Sequence, residues 1–222
     1  MSALSPQPDA ENPFSTRHVR PGAIPYFFPA GEDVSSVLQR LARNVWQGQI
    51  VGPHGSGKST LLSTLLPAIE KSGKQVTVVA LHDGQRRLPP DVLRETSRGK
   101  RARARRTNMG DQPPHGNRLL VVDGYEQLPW WRRYWLERRC RRRGMGLLVT
   151  SHRSVGLPEV YRTSIDSQRA ERIVARLLSD WPEMIAAEEI VPCLERHGQD
   201  LREALFELYD LFEQNRRTKK PT

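Results

Sequence analysis

The chain has 222 residues, which suits one domain of ordinary size with a small appendage and excludes two full enzymatic domains. Hydrophobic residues make up 37% of it, below the usual globular share, so part of the chain is expected to lie outside any core. No stretch approaches the roughly 18 apolar residues that a membrane span requires. Cys140 and Cys193 are far apart, and we expect both to be reduced thiols without a metal-binding partner.

The net charge of +10 is concentrated in two segments. The stretch from Arg94 to Arg106 and the stretch from Arg132 to Arg143 each carry seven Lys/Arg residues and one Glu, so the rest of the chain is slightly acidic. Local basicity of this kind indicates a surface for an anionic partner.

Both ends of the chain lack apolar periodicity. Residues 1–12 hold prolines, serines and acids and are expected to be disordered, and residues 214–222 are expected to form a basic tail. The N-terminus lacks the basic-then-apolar order of a signal peptide, so we expect a cytoplasmic protein.

The first elements are predicted between residues 13 and 51. Prolines and aromatic residues in the stretch 13–30 indicate an extended segment laid across the domain surface. Apolar residues at the i, i+3, i+4, i+7 spacing predict a helix from Val34 to Val45, and the first strand is predicted from Trp46 to Val51.

That strand leads into a turn with the pattern G-x-x-x-x-G-K-[ST], which a helical pattern follows. This P-loop comprises Gly52, Pro53, His54, Gly55, Ser56, Gly57, Lys58, Ser59 and Thr60. Its glycines let backbone N–H groups point at phosphate oxygens, and the helix adds its positive dipole end. Lys58 is expected to reach the β- and γ-phosphates of a nucleotide, and the Ser59 hydroxyl to ligate Mg²⁺.

Strands and helices alternate in the rest of the N-terminal three quarters of the chain. Buried strands are predicted at residues 75–81, 118–123 and 146–151, with a weaker fifth strand at 160–165. Residues 94–116 interrupt this pattern as a basic loop or insert, and a helix is predicted from Pro129 to Arg143. The alternation predicts an α/β fold over residues 13–166, with a parallel five-stranded sheet flanked by helices. Residues 167–213 are periodic at helical spacing and predict a small helical subdomain.

Three polar residues fall at or just past the ends of predicted strands, where a parallel sheet binds its ligands. Asp123 follows an apolar run, which is typical of the carboxylate that holds Mg²⁺ opposite the P-loop hydroxyl. Glu126 is a candidate general base, or alternatively a favourable charge at the start of a helix. Thr150 ends the next strand and is a candidate for holding the γ-phosphate or the attacking water.

These motifs resemble the Walker A, Walker B and sensor 1 elements of AAA+ and related ATPases of the additional-strand P-loop class. The run from Asp123 to Leu128, D-G-Y-E-Q-L, is also similar to the D-G-x-D-E form of the STAND NTPases. The resemblance implies an ATP-binding P-loop core with a C-terminal helical lid. AAA+ proteins typically place the catalytic Glu directly after the Asp, and here that position is Gly124.

The start of the last predicted helix adds to this resemblance. Asp200 is expected to cap that helix, which places Arg202 in its first turn, where a cation opposes the helix dipole unless an anion such as a phosphate compensates. In AAA+ proteins an Arg early in a lid helix is sensor 2, and the run from Gln199 to Arg202 is similar to that context. A surface salt bridge is the alternative role for Arg202.

The predicted helix from Pro129 to Arg143 interleaves aromatic residues with its arginines. Stacking combined with phosphate neutralisation is how single-stranded nucleic acid is bound, and the arginines also suit an acidic protein partner. The spacing of Trp131, Tyr134 and Trp135 favours packing against the sheet, so we expect these aromatic side chains to be buried.

Two functions agree with these features. The first is a Mg²⁺-dependent ATPase that couples nucleotide state to a macromolecular partner. The second is a nucleotide-gated binding module with little turnover. An ABC transporter subunit is disfavoured because no L-S-G-G-Q signature follows the P-loop, and GTP is disfavoured because no N-K-x-D motif is present.

Overall fold

The protein is described by a computed structural model over residues 11–82, 84–90, 92–94, 116–198 and 200–218. Most of the predicted basic loop, the first ten residues and the last four lie outside the described residues. The strands are β1 (Gln47–Val51), β2 (Gln75–Ala80), β3 (Arg118–Asp123), β4 (Gly146–Ser151) and β5 (Glu159–Arg162). The helices are α1 (Thr16–Val19), α2 (Val34–Arg43), α3 (Lys58–Lys71), α4 (Trp130–Arg142), α5 (Ser167–Leu177), α6 (Ala187–His197) and α7 (Leu201–Thr218).

The five strands form one parallel sheet in the order β2-β3-β4-β1-β5. This confirms the predicted α/β class, with a parallel sheet flanked by helices and followed by C-terminal helices. β3 and β4 are the apolar inner strands, and Leu120, Val121 and Leu147 are wholly buried in them. Because all strands run the same way, the ends of β1, β3 and β4 meet at one edge.

The second strand differs from its prediction. β2 lies at the edge of the sheet rather than inside it, and Val78 is 50% exposed. An apolar run of four to eight residues is typical of a buried strand, but its sequence does not encode its position in the strand order. Val79 is the one buried residue of β2.

A separate apolar cluster lies among the C-terminal helices α5, α6 and α7. The apolar stripe of α7 is buried there, with Leu208 and Phe212 fully covered. The N-terminal segment also joins this cluster, since Phe14 packs edge-on against Phe212 with ring centroids 6.3 Å apart. Asn12 lies inside the stretch predicted to be disordered, yet it is buried and donates to the carbonyl of Tyr209 at 3.1 Å.

The aromatic residues of α4 do not pack against the sheet, and the prediction that they are buried is wrong. Trp131, Tyr134 and Trp135 are 45%, 54% and 60% exposed, and the neighbouring Trp130 is 76% exposed. The buried face of α4 is formed instead by Leu136 and Cys140, which are one helical turn apart. Since a helix buries only one face here, the neighbouring tryptophans are left at the surface.

The C-terminal helices end the described part of the chain. α7 continues to Thr218, so the predicted basic tail begins inside this helix, and residues 219–222 lie outside the described residues. Among the described helices, none is both long and apolar enough to cross a membrane.

The packing of α7 makes a stability prediction. Phe212→Ala removes a fully buried ring and is expected to lower the free energy of unfolding by about 3–5 kcal/mol. Phe206→Ala is the matched control, because this phenylalanine lies on the same helix and is 51% exposed. Its effect should stay within about 0.5 kcal/mol. Urea unfolding of both variants checks the difference, and equal losses would contradict the assigned core.

Candidate nucleotide site

The P-loop joins β1 to α3 and is fixed by a residue just past β5. A Cβ atom added to Gly52 would lie only 2.0 Å from Thr163 Oγ1, so no larger residue fits at this position. Thr163 Oγ1 also lies 2.7 Å from Ser56 Oγ, which donates to the Pro53 carbonyl at 2.8 Å. Hydrogen bonds between buried hydroxyls and the loop backbone therefore set the shape of the turn.

Lys58 is the first residue of α3, and its ammonium group lies inside the P-loop. Its Nζ donates to the carbonyl oxygens of Gly52 at 2.8 Å and Pro53 at 2.5 Å. Burial lowers the pKa of Lys58, and this is opposed by three nearby carboxylates, those of Glu126, Asp123 and Asp200. The Lys58 ammonium, which is predicted to bind phosphate, therefore donates to neutral carbonyl oxygens, which are weaker acceptors than phosphate oxygens.

Asp123 and Thr150 lie side by side because β3 pairs directly with β4. Thr150 Oγ1 donates to Asp123 Oδ1 and accepts from the Gly124 N–H at 2.9 Å. The Thr150 side chain is fully buried by these contacts. In the structure this hydroxyl orients the Asp123 carboxylate, and its role toward a γ-phosphate or water stays a prediction.

The turn after β3 explains the glycine where AAA+ proteins carry a glutamate. Gly124 has φ +80°, and a Cβ added there would lie 2.5 Å from the Leu81 carbonyl oxygen. A side chain at this position would be strained and would clash with the backbone. The chain instead turns through a short 3₁₀ helix, Tyr125–Gln127, which carries Glu126 back toward the P-loop.

His152 joins Glu126 to the P-loop, and sequence reasoning missed it. Its Nε2 lies 2.7 Å from Glu126 Oε1, and its Nδ1 lies 3.3 Å from Lys58 Nζ. The imidazole also stacks on His54, with ring centroids 3.5 Å apart. The sequence contains a signal for this residue, because His152 directly follows the predicted strand 146–151, whose end lies at the ligand-binding edge of the sheet.

The surroundings favour a neutral His152. Burial and the adjacent Lys58 ammonium lower the pKa of His152, and His54 acts in the same direction, whereas the Glu126 carboxylate raises it. A neutral imidazole accepts from Lys58 at Nδ1 and donates to Glu126 at Nε2. The other carboxylate oxygen, Glu126 Oε2, is buried and has no hydrogen-bond partner among the described residues.

Helix α7 begins against the P-loop. Asp200 caps α7 as predicted, accepting from the Arg202 N–H at 3.1 Å. A Cβ added to Gly55 would lie 1.9 Å from Asp200 Oδ1, so this carboxylate occupies the space beside the loop. Arg202 is exposed in the first turn of α7, two residues from that contact, and its sensor 2 role stays a prediction.

The N-terminal segment reaches the other side of the loop. The backbone N–H of Tyr26 donates to Thr64 Oγ1 of α3 at 2.9 Å, and its ring packs edge-on against Tyr161 of β5. A Cβ added to Gly57 would meet the Tyr26 ring at 3.4 Å. One segment therefore contacts both the C-terminal helices, through Phe14, and the P-loop, through Tyr26.

Several solved structures share the overall fold of this chain. Cdc6p from Pyrobaculum aerophilum matches with a TM-score of 0.61 and 13% identity, over 94% of this chain and 66% of its own. This chain has an AAA+ P-loop ATPase-like fold.

Two DnaA structures have the same fold. AMPPCP-bound DnaA from Aquifex aeolicus matches with a TM-score of 0.50 and 17% identity, over 87% of this chain and 68% of its own. The replication initiator DnaA bound to AMPPCP and single-stranded DNA gives a TM-score of 0.50 and 14% identity, over 85% of this chain and 63% of its own. The chain thus spans about two thirds of the length of each of these structures. No family model and no curated protein matches it.

The His152 contacts make a prediction that needs no nucleotide. Removing the Glu126 charge in Glu126→Gln should lower the pKa of His152 further, because that carboxylate stabilises the imidazolium. Removing the Lys58 charge in Lys58→Met should raise it, because the ammonium repels the imidazolium. Titration of the His152 ring protons by NMR measures both. An unchanged pKa in the two variants would contradict the contact geometry.

Proposed function

We propose that this chain binds ATP with Mg²⁺ in its P-loop and hydrolyses it, coupling nucleotide state to a macromolecular partner. The observation that carries the proposal is the convergence of Lys58, Asp123 and Glu126 on one P-loop. The fold supports it, because two of the matching structures are DnaA with bound AMPPCP.

Phosphate binding follows from the shape of the loop. The positive-φ glycines Gly55 and Gly57 let the backbone turn around an anion, and the N-terminus of α3 points into the same turn. Lys58 now donates to two neutral carbonyls and would exchange these for phosphate oxygens, which are stronger acceptors. The bound nucleotide thereby compensates a charge that burial disfavours.

The residues for a magnesium ion also fit. Ser59 offers a hydroxyl in the first turn of α3, and the Asp123 carboxylate is oriented by Thr150. Hydroxyl and carboxylate oxygens beside phosphates are the donors that Mg²⁺ prefers. When bound, the ion would neutralise charge on the β- and γ-phosphates.

Glu126 is the proposed general base. His152 holds its Oε1 by a hydrogen bond of 2.7 Å, which leaves the buried Oε2 to accept a proton from water. Because His152 also touches Lys58, phosphate binding at Lys58 would be transmitted to the base through one imidazole. Thr150 is proposed to keep the Asp123 carboxylate in place, and Arg202 to approach the phosphates from the lid.

The second candidate is a nucleotide-gated module with little turnover. It is favoured by Gly124, which leaves the position typical of the catalytic glutamate without a side chain. It is also favoured by the engagement of Glu126 with His152. Turnover by the parent protein separates the two candidates.

Nucleotide binding is tested by Lys58→Ala. The variant should lose about 10- to 100-fold in ATP affinity, because hydrogen bonds to charged groups contribute roughly 1.5–3 kcal/mol. Lys71→Ala is the control, since it removes an exposed lysine from the last turn of the same helix. Asp123→Asn should weaken binding in Mg²⁺ but not in EDTA. Isothermal titration measures all three, and full affinity in Lys58→Ala would overturn the P-loop assignment.

Catalysis is tested by Glu126→Gln. This variant should bind ATP like the parent and lose turnover by about 10²-fold or more, the scale expected of a general base. Glu70→Gln, which alters an exposed acid of α3, should keep full activity. Phosphate release at saturating ATP is the measurement. If Glu126→Gln stays fully active, Glu126 has only a structural role, and if the parent shows no turnover, the gated module is the function.

The proposed partner is nucleic acid, bound at α4. Trp130, Tyr134 and Trp135 are exposed there. Four arginines of the same helix line a cleft of about 570 Å³ together with Leu88 and Leu93, namely Arg132, Arg138, Arg139 and Arg142. Exposed aromatic rings that alternate with arginines suit stacked bases and their phosphates. One of the matching DnaA structures contains single-stranded DNA, which agrees with this partner class.

The partner is tested with single-stranded DNA at two salt concentrations. Trp130→Ala and Trp135→Ala should each weaken binding by roughly 1–3 kcal/mol, the usual contribution of one stacked base. Replacing the five arginines from Arg138 to Arg143 by Gln should flatten the log–log salt dependence by about 0.7 for each phosphate that is no longer neutralised. Phe206→Ala is the control, as an exposed ring on a different helix. No binding by the parent at low salt would leave an acidic protein as the partner of this surface.

A further inference from the structure

A cluster of three ligand-type side chains lies between α6 and α7, away from the P-loop. Cys193 and His197 are four residues apart on α6 and so share one face of the helix, and Glu207 faces them from α7. One sulfur, one imidazole nitrogen and one carboxylate oxygen lie within 4.8 Å of one another. Within the described residues, this is the one such group of three.

We propose that Cys193, His197 and Glu207 bind a zinc ion. Thiolate sulfur, imidazole nitrogen and carboxylate oxygen are the protein ligands of Zn²⁺, whereas Mg²⁺ and Ca²⁺ prefer oxygen donors only. Three protein ligands leave a fourth, tetrahedral position for water. The side chains of His197 and Glu207 are 29% and 31% exposed, so an ion and this water can enter from solvent.

The arginine beside the cluster does not block the ion. Arg196 bonds to Oε1 of Glu207, while His197 Nε2 lies 2.6 Å from Oε2 of the same carboxylate. Zinc would take Oε2 and Nε2, and Arg196 would stay on Oε1 as an outer partner that orients the ligand. The thiolate and the carboxylate together balance the charge of the divalent ion.

Zinc binding requires only the release of protons from the ligand side chains. The thiol now donates weakly to the Ala204 carbonyl at 3.6 Å, and its S–H bond would be replaced by an S–Zn bond, with the proton released to solvent. The His197 Nε2 lone pair forms the second bond, with release of any proton shared with Glu207. No oxidation or reduction is involved.

The site adjoins the element that contacts the P-loop. The carbonyl of His197 accepts from the Asp200 N–H at 3.0 Å, and Asp200 lies against Gly55. An ion that ties α6 to α7 would therefore fix the junction that positions Asp200. The sequence predicts no metal-binding partner for Cys193, whereas His197, four residues later, and Glu207 lie beside it in the structure.

The test uses untagged full-length chain and cobalt as a spectroscopic substitute for zinc. Parent protein should bind one Co²⁺ with a sulfur-to-cobalt charge-transfer band, which added Zn²⁺ removes. The band should be absent in Cys193→Ser and kept in Cys140→Ser, whose buried thiol lies outside the cluster.

Zinc affinity, measured by competition with a chromogenic chelator, should fall by more than about 100-fold in His197→Gln and Glu207→Gln. Loss of even an outer-shell partner costs 10- to 100-fold in typical sites. Zinc should also raise the Tm of the parent and of Cys140→Ser only. If Cys193→Ser fails to fold, the parent's charge-transfer band and the two affinity variants still decide the question. Cobalt bound without that band, or equal zinc affinity in parent and variants, would overturn the proposal and leave Cys193 as a buried thiol beside a hydrogen-bonded His197 and Glu207.

Discussion

The site depends on the order of the strands in the sheet. Because β4 lies between β1 and β3, the P-loop and Asp123 are separated by one strand, and the end of that strand fills the space between them. Thr150 reaches outward to Asp123, and His152 reaches back to Lys58 and across to Glu126. If β1 and β3 were neighbours, neither bridge could form. The proposed chemistry therefore rests on the backbone hydrogen bonds of a parallel sheet as much as on the motif residues.

Much of this arrangement could be predicted from local patterns. The bounds of β3 and β4, the buried stripe of α7 and the Asp200 cap follow from periodicity and capping chemistry, which are encoded over a few residues. The position of β2 at the sheet edge and the exposure of the α4 tryptophans could not be predicted in the same way. Both depend on which surface the rest of the fold leaves uncovered, and that is a tertiary property.

The residues of the candidate nucleotide site also divide into those set by local sequence and those set by tertiary contacts. The P-loop is recognised from its own sequence, whereas the hydrogen bond of Ser56 to Thr163 joins residues 107 apart. His152 and Asp200 likewise act through contacts with distant parts of the chain. Gly124 depends on both, because its positive φ is a local property, whereas its close approach to the Leu81 carbonyl oxygen joins distant parts of the chain. The proposed general base, Glu126, lies two residues further along the chain.

A crystal structure of the chain with Mg²⁺ and AMPPCP tests the central claim most directly. Lys58 Nζ should leave the carbonyls of Gly52 and Pro53 for the β- and γ-phosphate oxygens. The Mg²⁺ ion should lie between Ser59 Oγ and the Asp123 carboxylate, with Glu126 on the γ-phosphate side. A nucleotide bound elsewhere, or a Lys58 that keeps both carbonyl contacts beside a bound nucleotide, would contradict the account.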